Sequence, residues 1–166
     1  MADTIPGLLA TLRKRATLWQ AARILIASAL SYGATTLFEL PEGYWALITV
    51  IVVTQPLLKE TLAASGSRLL GTLIGALAGV AVVEGAKAGW PVQPLFWIAM
   101  VPLALLTAAW PTLRVSCITL VILSLIPSSG QPIDRALDRV VEILLGVVVS
   151  IAVLALLPEW KKSQDG

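Results

Sequence analysis

Long apolar runs dominate the pattern of hydrophobic and polar positions along this chain, and each is close to the length of a membrane-crossing helix. Such a helix needs about 20 mostly apolar residues. The runs are continuous rather than alternating in polarity, which favours helices over the strands of a membrane barrel. The pattern therefore predicts six membrane-spanning helices, at residues 19–38, 44–58, 62–83, 91–110, 113–126 and 133–157.

Short polar segments rich in helix-breaking residues separate several of the predicted spans. ELPEG follows the first span, QP ends the second and IPSSGQP follows the fifth. Proline and glycine disfavour the continuation of a helix. We expect three parts: an N-terminal cytoplasmic or interfacial segment at 1–18, a six-helix membrane domain at 19–158 and a cytoplasmic tail at 159–166.

The N-terminal segment permits two interpretations. Leu8, Leu9 and Leu12 share one helical face and basic residues follow them, so the segment either lies along the inner membrane surface or is a flank that sets topology. The small residues of ASA, which resemble a signal-peptide cleavage site, lie inside the first apolar run rather than after it. We therefore expect that run to be retained as a membrane helix.

Composition supports an integral membrane protein and narrows its chemistry. The 166 residues are 57% hydrophobic and 13% charged, whereas soluble domains carry about 25% charged residues. A net charge of +2 gives no reason to expect nucleic acid as a partner. One cysteine, Cys117, and no histidine exclude an intrachain disulfide and a Cys/His metal site. We find no pattern for a nucleophile and its base, and expect neither an enzyme nor a bound cofactor.

Charge distribution predicts the orientation. With the N-terminus in the cytoplasm, the inner side holds nine of the twelve Lys and Arg residues, and only Lys87, Arg135 and Arg139 lie outside. Cytoplasmic loops of membrane proteins are enriched in these residues. Both termini are then cytoplasmic.

A shift of 71 residues aligns the two halves of the chain. It places Arg68 on Arg139, Gly75 on Gly146, Gly79 on Ser150 and Pro56 on Pro127 without a gap. Each unit, at about 20–90 and 91–160, would hold three spans, so the second would be inverted relative to the first. Inverted repeats are common in transporters, whose substrate sites lie between the repeats.

Small residues recur on the third and sixth spans. Gly71, Gly75 and Gly79 stand four residues apart and share one helix face, which allows another helix backbone to approach closely. We assign helix packing to these glycines and to their counterparts Gly146 and Ser150, and to the span-closing prolines Pro56 and Pro127.

Two arginines inside apolar spans are the strongest functional signal. Arg68 and Arg139 each stand one or two turns after a predicted helix start, where the helix dipole disfavours a cation. An arginine facing a wet cleft at a helix N-terminus makes an anion site. The alternatives are that Arg68 extends to the inner lipid headgroups and that Arg139 pairs with Glu142, three residues on.

Residues 44–80, YWALITVIVVTQPLLKETLAASGSRLLGTLIGALAGV, resemble the signature of the fusaric acid resistance-like membrane domain. The matching features are the YWA opening, the polar residue and proline at Gln55 and Pro56, and R-x-x-G-T-x-x-G from Arg68 to Gly75. That family includes the aromatic acid exporters and is similar to the plant aluminium-activated malate transporters. The resemblance implies a six-helix unit of the bacterial inner membrane that moves organic anions. Larger members hold two such units, so it also implies a homodimer.

The sequence therefore leaves two alternative functions. The first is an exporter or channel for small organic anions, with aromatic carboxylates as candidate substrates. Such substrates could stack on Tyr44, Trp45 and Trp97. For Tyr44 and Trp45, the alternative role is anchoring at the membrane interface. The second is a membrane subunit that packs against a partner protein or binds anionic lipid. The candidate anion-binding residues are Arg68, Arg139, Tyr44, Trp45, Gln55 and Thr72.

Overall fold

The computed structural model describes residues 15–126 and 131–158, and the regular structure within those ranges is entirely helical. This confirms the all-α prediction. The segment before residue 15, Pro127 and the tail after residue 158 lie outside the described residues. The elements are α1 (Arg15–Leu37), α2 (Tyr44–Val53), α3 (Leu58–Lys87), α4 (Val92–Ala109), a 3-10 helix (Pro111–Leu113), α5 (Val115–Leu125) and α6 (Pro132–Leu156).

The helices differ in length, although each overlaps one predicted span. Among the described residues, α3, α4 and α6 are long and apolar enough to cross a membrane. In contrast, α2 and α5 have 10 and 11 residues, and at 1.5 Å per residue each reaches about half of the hydrocarbon thickness. The number of crossings therefore stays a prediction.

The second predicted span was too long at its C-terminal end. It was drawn to residue 58, whereas α2 ends at Val53. Pro56 lacks a backbone N–H and disfavours helical geometry in the residue before it, so the helix stops early. Residues 54–57 form a non-helical segment between α2 and α3.

Each short helix packs against the long helix of the other half of the chain: α5 lies on α3, and α2 lies on α6. A Cβ added at Gly75 would collide with the Ser116 carbonyl oxygen of α5 and lie 2.8 Å from the Thr119 Cβ. A Cβ added at Gly146 would lie 2.5 Å from the Ala46 carbonyl oxygen of α2. The absence of a side chain at these two positions permits both close approaches.

The same pairings continue along the long helices. Gly71 faces Val115 at the start of α5, and an added Cβ at Gly79 would lie 2.8 Å from the Leu123 Cβ. On α6, the Ser150 hydroxyl is 3.2 Å from the hydroxyl of Thr54, just after α2.

Side chains from other elements satisfy the backbone of the non-helical segment. The Gln55 N–H donates to the Thr61 hydroxyl at 2.9 Å, and the Gln20 amide donates to the Thr54 carbonyl at 3.2 Å. Irregular backbone is tolerated at membrane depth only where protein or a water-filled cavity supplies such partners. The break after α2 is therefore held by tertiary contacts.

Replacing Thr61 with valine should destabilise the protein. Thr61 is fully buried, and valine has a similar shape but leaves the Gln55 N–H without that acceptor. An unsatisfied buried donor costs about 1–3 kcal/mol. Thermal unfolding of the purified protein in detergent measures the effect. Thr36→Val is the matched control, because Thr36 is exposed and its hydroxyl bonds only within its own helix; equal midpoints for the two variants would contradict the prediction.

Candidate functional site

Arg139 is a buried cation that forms no salt bridge with any described residue. It lies on α6, is 2% exposed, and its guanidinium carbon is 3.6 Å from the centroid of the Trp45 ring. Within the described residues, its three guanidinium nitrogens have no hydrogen-bond partner. The guanidinium therefore makes a cation–π contact with one face of the indole while its N–H groups remain available.

The alternative of an Arg139–Glu142 ion pair is not realised. The salt bridge found among the described residues joins Lys87 to Glu84 at the surface. One Glu142 oxygen, Oε1, instead accepts a hydrogen bond from the backbone N–H of Glu42 at 2.8 Å. Glu142 therefore ties α6 to the turn before α2 and attracts Arg139 without forming a salt bridge to it.

The same turn orients the Trp45 ring. The indole Nε1–H donates to Glu42 Oε2 at 2.8 Å, and the Tyr44 ring lies 5.2 Å from the Trp45 ring in a tilted arrangement. A hydrogen bond at one end of the indole and an aromatic neighbour limit its rotation. The ring is held where it meets the Arg139 guanidinium.

Arg68 occupies the corresponding position on α3. It is 6% exposed, and within the described part of the chain its Nε and Nη2 atoms have no hydrogen-bond partner. It lines a groove of about 540 Å³ together with Gln55, Thr112 and Val115. The side chain therefore faces a groove beside the start of α5.

The helix start expected for Arg68 was wrong. The predicted span began at residue 62, whereas α3 begins at Leu58, about three turns before Arg68. The first-turn amides of its own helix are too distant to share a ligand with it. The nearby helix start is that of α5, because Val115 lines the same groove.

The positive charge of Arg68 repels that of Arg139. They stand on α3 and α6, which pack together. Repulsion between two buried cations is unfavourable, and an anion between them would relieve it. The arrangement can therefore bind a negatively charged group.

The remaining candidate residues are distributed unevenly. Tyr44 and Trp45 lie with Arg139, while Gln55 lies with Arg68, its amide donating to the Val52 carbonyl at 3.1 Å. Thr72 is buried, and its hydroxyl donates to the carbonyl of Arg68 at 2.9 Å. Trp97 is 60% exposed on α4 and packs edge-on against Phe96.

Sequence reasoning missed the roles of Glu42 and Arg23. Glu42 bonds both Trp45 and Glu142, and this could not be seen from the chain because the Glu142 contact joins residues 100 positions apart. Arg23 is buried on α1, and its Nη1 donates to the Pro56 carbonyl at 3.0 Å. A charge inside the first apolar run was the available signal for Arg23.

Within the described residues, no cluster of three or more His, Cys, Asp or Glu residues suits a metal ion.

Comparison with known proteins places the chain among membrane proteins. Inner membrane protein YccS of Escherichia coli (strain K12) is 26% identical over 148 residues, which cover 85% of this chain and 20% of that protein. The chain thus spans about one fifth of the length of this relative. No solved structure matches the chain. The sequence model of the family described as fusaric acid resistance protein-like matches residues 18–153. Because that match covers most of the sequence, the chain belongs to the fusaric acid resistance protein-like family.

Proposed function

We propose that this protein is a membrane transporter, an exporter or a channel, for small organic anions. Family membership and the inner-membrane relative support a membrane transport role in a multi-pass protein. The observation that supports an anionic substrate is the pair of buried arginines, Arg68 and Arg139. Neither has an ion-pair partner among the described residues.

The energetic cost of these arginines supports a functional role. Placing arginine at the centre of a membrane helix costs about 2.5–3.5 kcal/mol on insertion scales, and such residues mark ion pathways. The unpartnered N–H groups of Arg68 and Arg139 suit a carboxylate, which guanidinium binds through two parallel hydrogen bonds. Phosphate and carboxylate share this chemistry, so the arginines alone leave the anionic group open.

The aromatic residues beside Arg139 support an anion with an apolar ring. The Trp45 ring lies on the guanidinium and the Tyr44 ring lies 5.2 Å from the Trp45 ring, and aromatic rings attract one another in offset or edge-to-face arrangements. A carboxylate on Arg139 would bring the rest of the ligand to these rings. We therefore propose aromatic carboxylic acids, such as fusaric or hydroxybenzoic acid, as the substrate class.

An inverted repeat supports a site between the two halves. The shift of 71 residues aligns α2 with α5 and α3 with α6, and each short helix packs on the long helix of the other half. Arg68 lies beside the start of α5, and Arg139 beside the start of α2. Short hydrophobic segments at corresponding positions of two halves are the strongest pointer to a transporter site. Cytoplasmic termini and a homodimer complete the proposed assembly.

Counterflow in liposomes tests the function. Purified protein is reconstituted, loaded with unlabelled p-hydroxybenzoate and supplied with a trace of labelled compound outside. We expect the protein to accelerate uptake of the label well above that of protein-free liposomes. A folded protein that gives the same uptake as protein-free liposomes would contradict the proposal. Capture of anionic lipid by such an inactive protein would favour the alternative of a lipid-binding membrane subunit.

A further inference from the structure

Glu142 is a second buried ionisable group that anion binding alone does not explain. Its side chain lies on α6, one turn after Arg139, and is 0% exposed. Oε1 accepts the Glu42 N–H, whereas Oε2 is buried and has no hydrogen-bond partner in the described part of the chain. An ionised carboxylate is costly to bury without full pairing, whereas a protonated one carries no charge. The site therefore suits a carboxyl group that gains and loses a proton.

The charges around Glu142 are mostly negative. Glu42 in the turn before α2 and Asp138 on its own helix repel an ionised Glu142, and Arg139 attracts it. Arg139 is in turn repelled by the positive charge of Arg68 on α3. The hydrogen bond from the Glu42 N–H and, to a smaller extent, the attraction of Arg139 therefore favour the ionised form of Glu142.

The other charged groups of the packed helices lie elsewhere. Tyr44 of α2 interacts with Arg139. Arg23 of α1 contacts the Pro56 carbonyl after the C-terminal end of α2, whereas Glu142 bonds the turn before its N-terminal end. Glu84 and Lys87 of α3 pair with each other in exposed positions. Of the cations on the packed helices, Arg139 is therefore the one that acts on Glu142.

We propose that Glu142 binds one proton together with the transported anion. This inference rests on the proposed function. When an anion neutralises Arg139, the ionised Glu142 loses the attraction of that cation and gains a negative neighbour, so a proton from solvent forms an O–H bond at Oε2. No electrons are transferred. Linkage is reciprocal, so protonation of Glu142 strengthens anion binding by the same factor.

Glu142 fits this role better than the other acidic residues of the outer half. Glu84 is exposed and already paired with Lys87, and Asp138 is partly exposed. A proton carrier must be shielded from solvent in at least one state if its charge is to follow the ligand. Of these three carboxyl groups, the structure shields only Glu142 fully.

Proton uptake on anion binding tests the inference. Calorimetric titration of p-hydroxybenzoate into the detergent-purified full chain, in buffers of different ionisation enthalpy, counts protons from about pH 5 to about pH 9, the range in which a buried carboxyl group can titrate. We expect the wild type to take up close to one proton per anion over part of this range. Glu142→Gln should take up none and bind with an affinity independent of pH. Glu84→Gln, the control, should behave as the wild type.

The outcomes separate the inference from the function. Anion binding by the wild type without proton uptake at any pH, or unchanged uptake in Glu142→Gln, would overturn the role of Glu142 and leave the transport proposal standing. Absence of both binding and counterflow in the folded wild type would instead overturn the proposed function. If Glu142→Gln does not fold, infrared difference spectra of the wild type test the same inference. The C=O band of a protonated carboxylic acid should grow when the anion is added. A band that does not grow would contradict the inference.

Discussion

Replacing Arg139 with glutamine is expected to lower p-hydroxybenzoate counterflow by about tenfold to 100-fold without lowering protein stability. A hydrogen bond to a charged group contributes about 1.5–3 kcal/mol, which sets this range. Glutamine removes a buried charge that has no ion-pair partner among the described residues, so the cost of burying that charge disappears. Loss of the contact with Trp45 and of the attraction to Glu42 and Glu142 offsets this gain, so stability should change little. Activity and stability should therefore change independently.

Arg68→Gln should give the same separation, and Arg114→Gln is the matched control. Arg114 is an exposed arginine just before α5, so its loss should leave counterflow near the wild-type rate. Arg139→Lys should retain part of the activity, because it keeps the charge but loses the planar fork of donors. Counterflow and thermal unfolding in detergent measure the two effects. Wild-type counterflow rates in both Arg68→Gln and Arg139→Gln would contradict the proposal that these arginines form the anion site.

Replacing Gly75 or Gly146 with alanine is expected to destabilise the packing of the short helices on the long ones. The added Cβ would collide with a carbonyl oxygen of the facing helix, Ser116 or Ala46, and a backbone atom moves aside less easily than a side chain. Overpacking costs about 1–3 kcal/mol, and for a chain of this size about 1 kcal/mol shifts the unfolding midpoint by about 2–4 °C. We expect a drop of several degrees in each variant.

Gly66→Ala is the matched control for this prediction. Gly66 lies on the same helix as Gly75, and an added Cβ there meets no atom within 4 Å. Alanine favours helix over glycine by about 1 kcal/mol, so this variant should be neutral or more stable. Equal unfolding midpoints for Gly66→Ala, Gly75→Ala and Gly146→Ala would show that close helix approach does not limit stability.

The sequence alone located the helices and singled out the two arginines. Hydropathy over about 20 residues is a strong local signal, and each of the six predicted spans overlaps one helix. Arg68 and Arg139 stood out because charge is rare inside apolar runs. The early end of α2 was less visible, since the QP pair indicated a break but not the residue at which helical hydrogen bonding stops.

The tertiary structure decided how these residues meet. The spacing of Arg139 and Glu142 offered an ion pair as the alternative to an anion site, yet Glu142 bonds the Glu42 N–H, 100 positions away. The Trp45 ring on the Arg139 guanidinium and the mutual repulsion of Arg68 and Arg139 likewise join distant parts of the chain. Sequence periodicity reports which residues share a helix face, because that geometry is local. Which faces come together depends on how all six helices bury their apolar and small-residue surfaces at once, and only the folded chain contains that information.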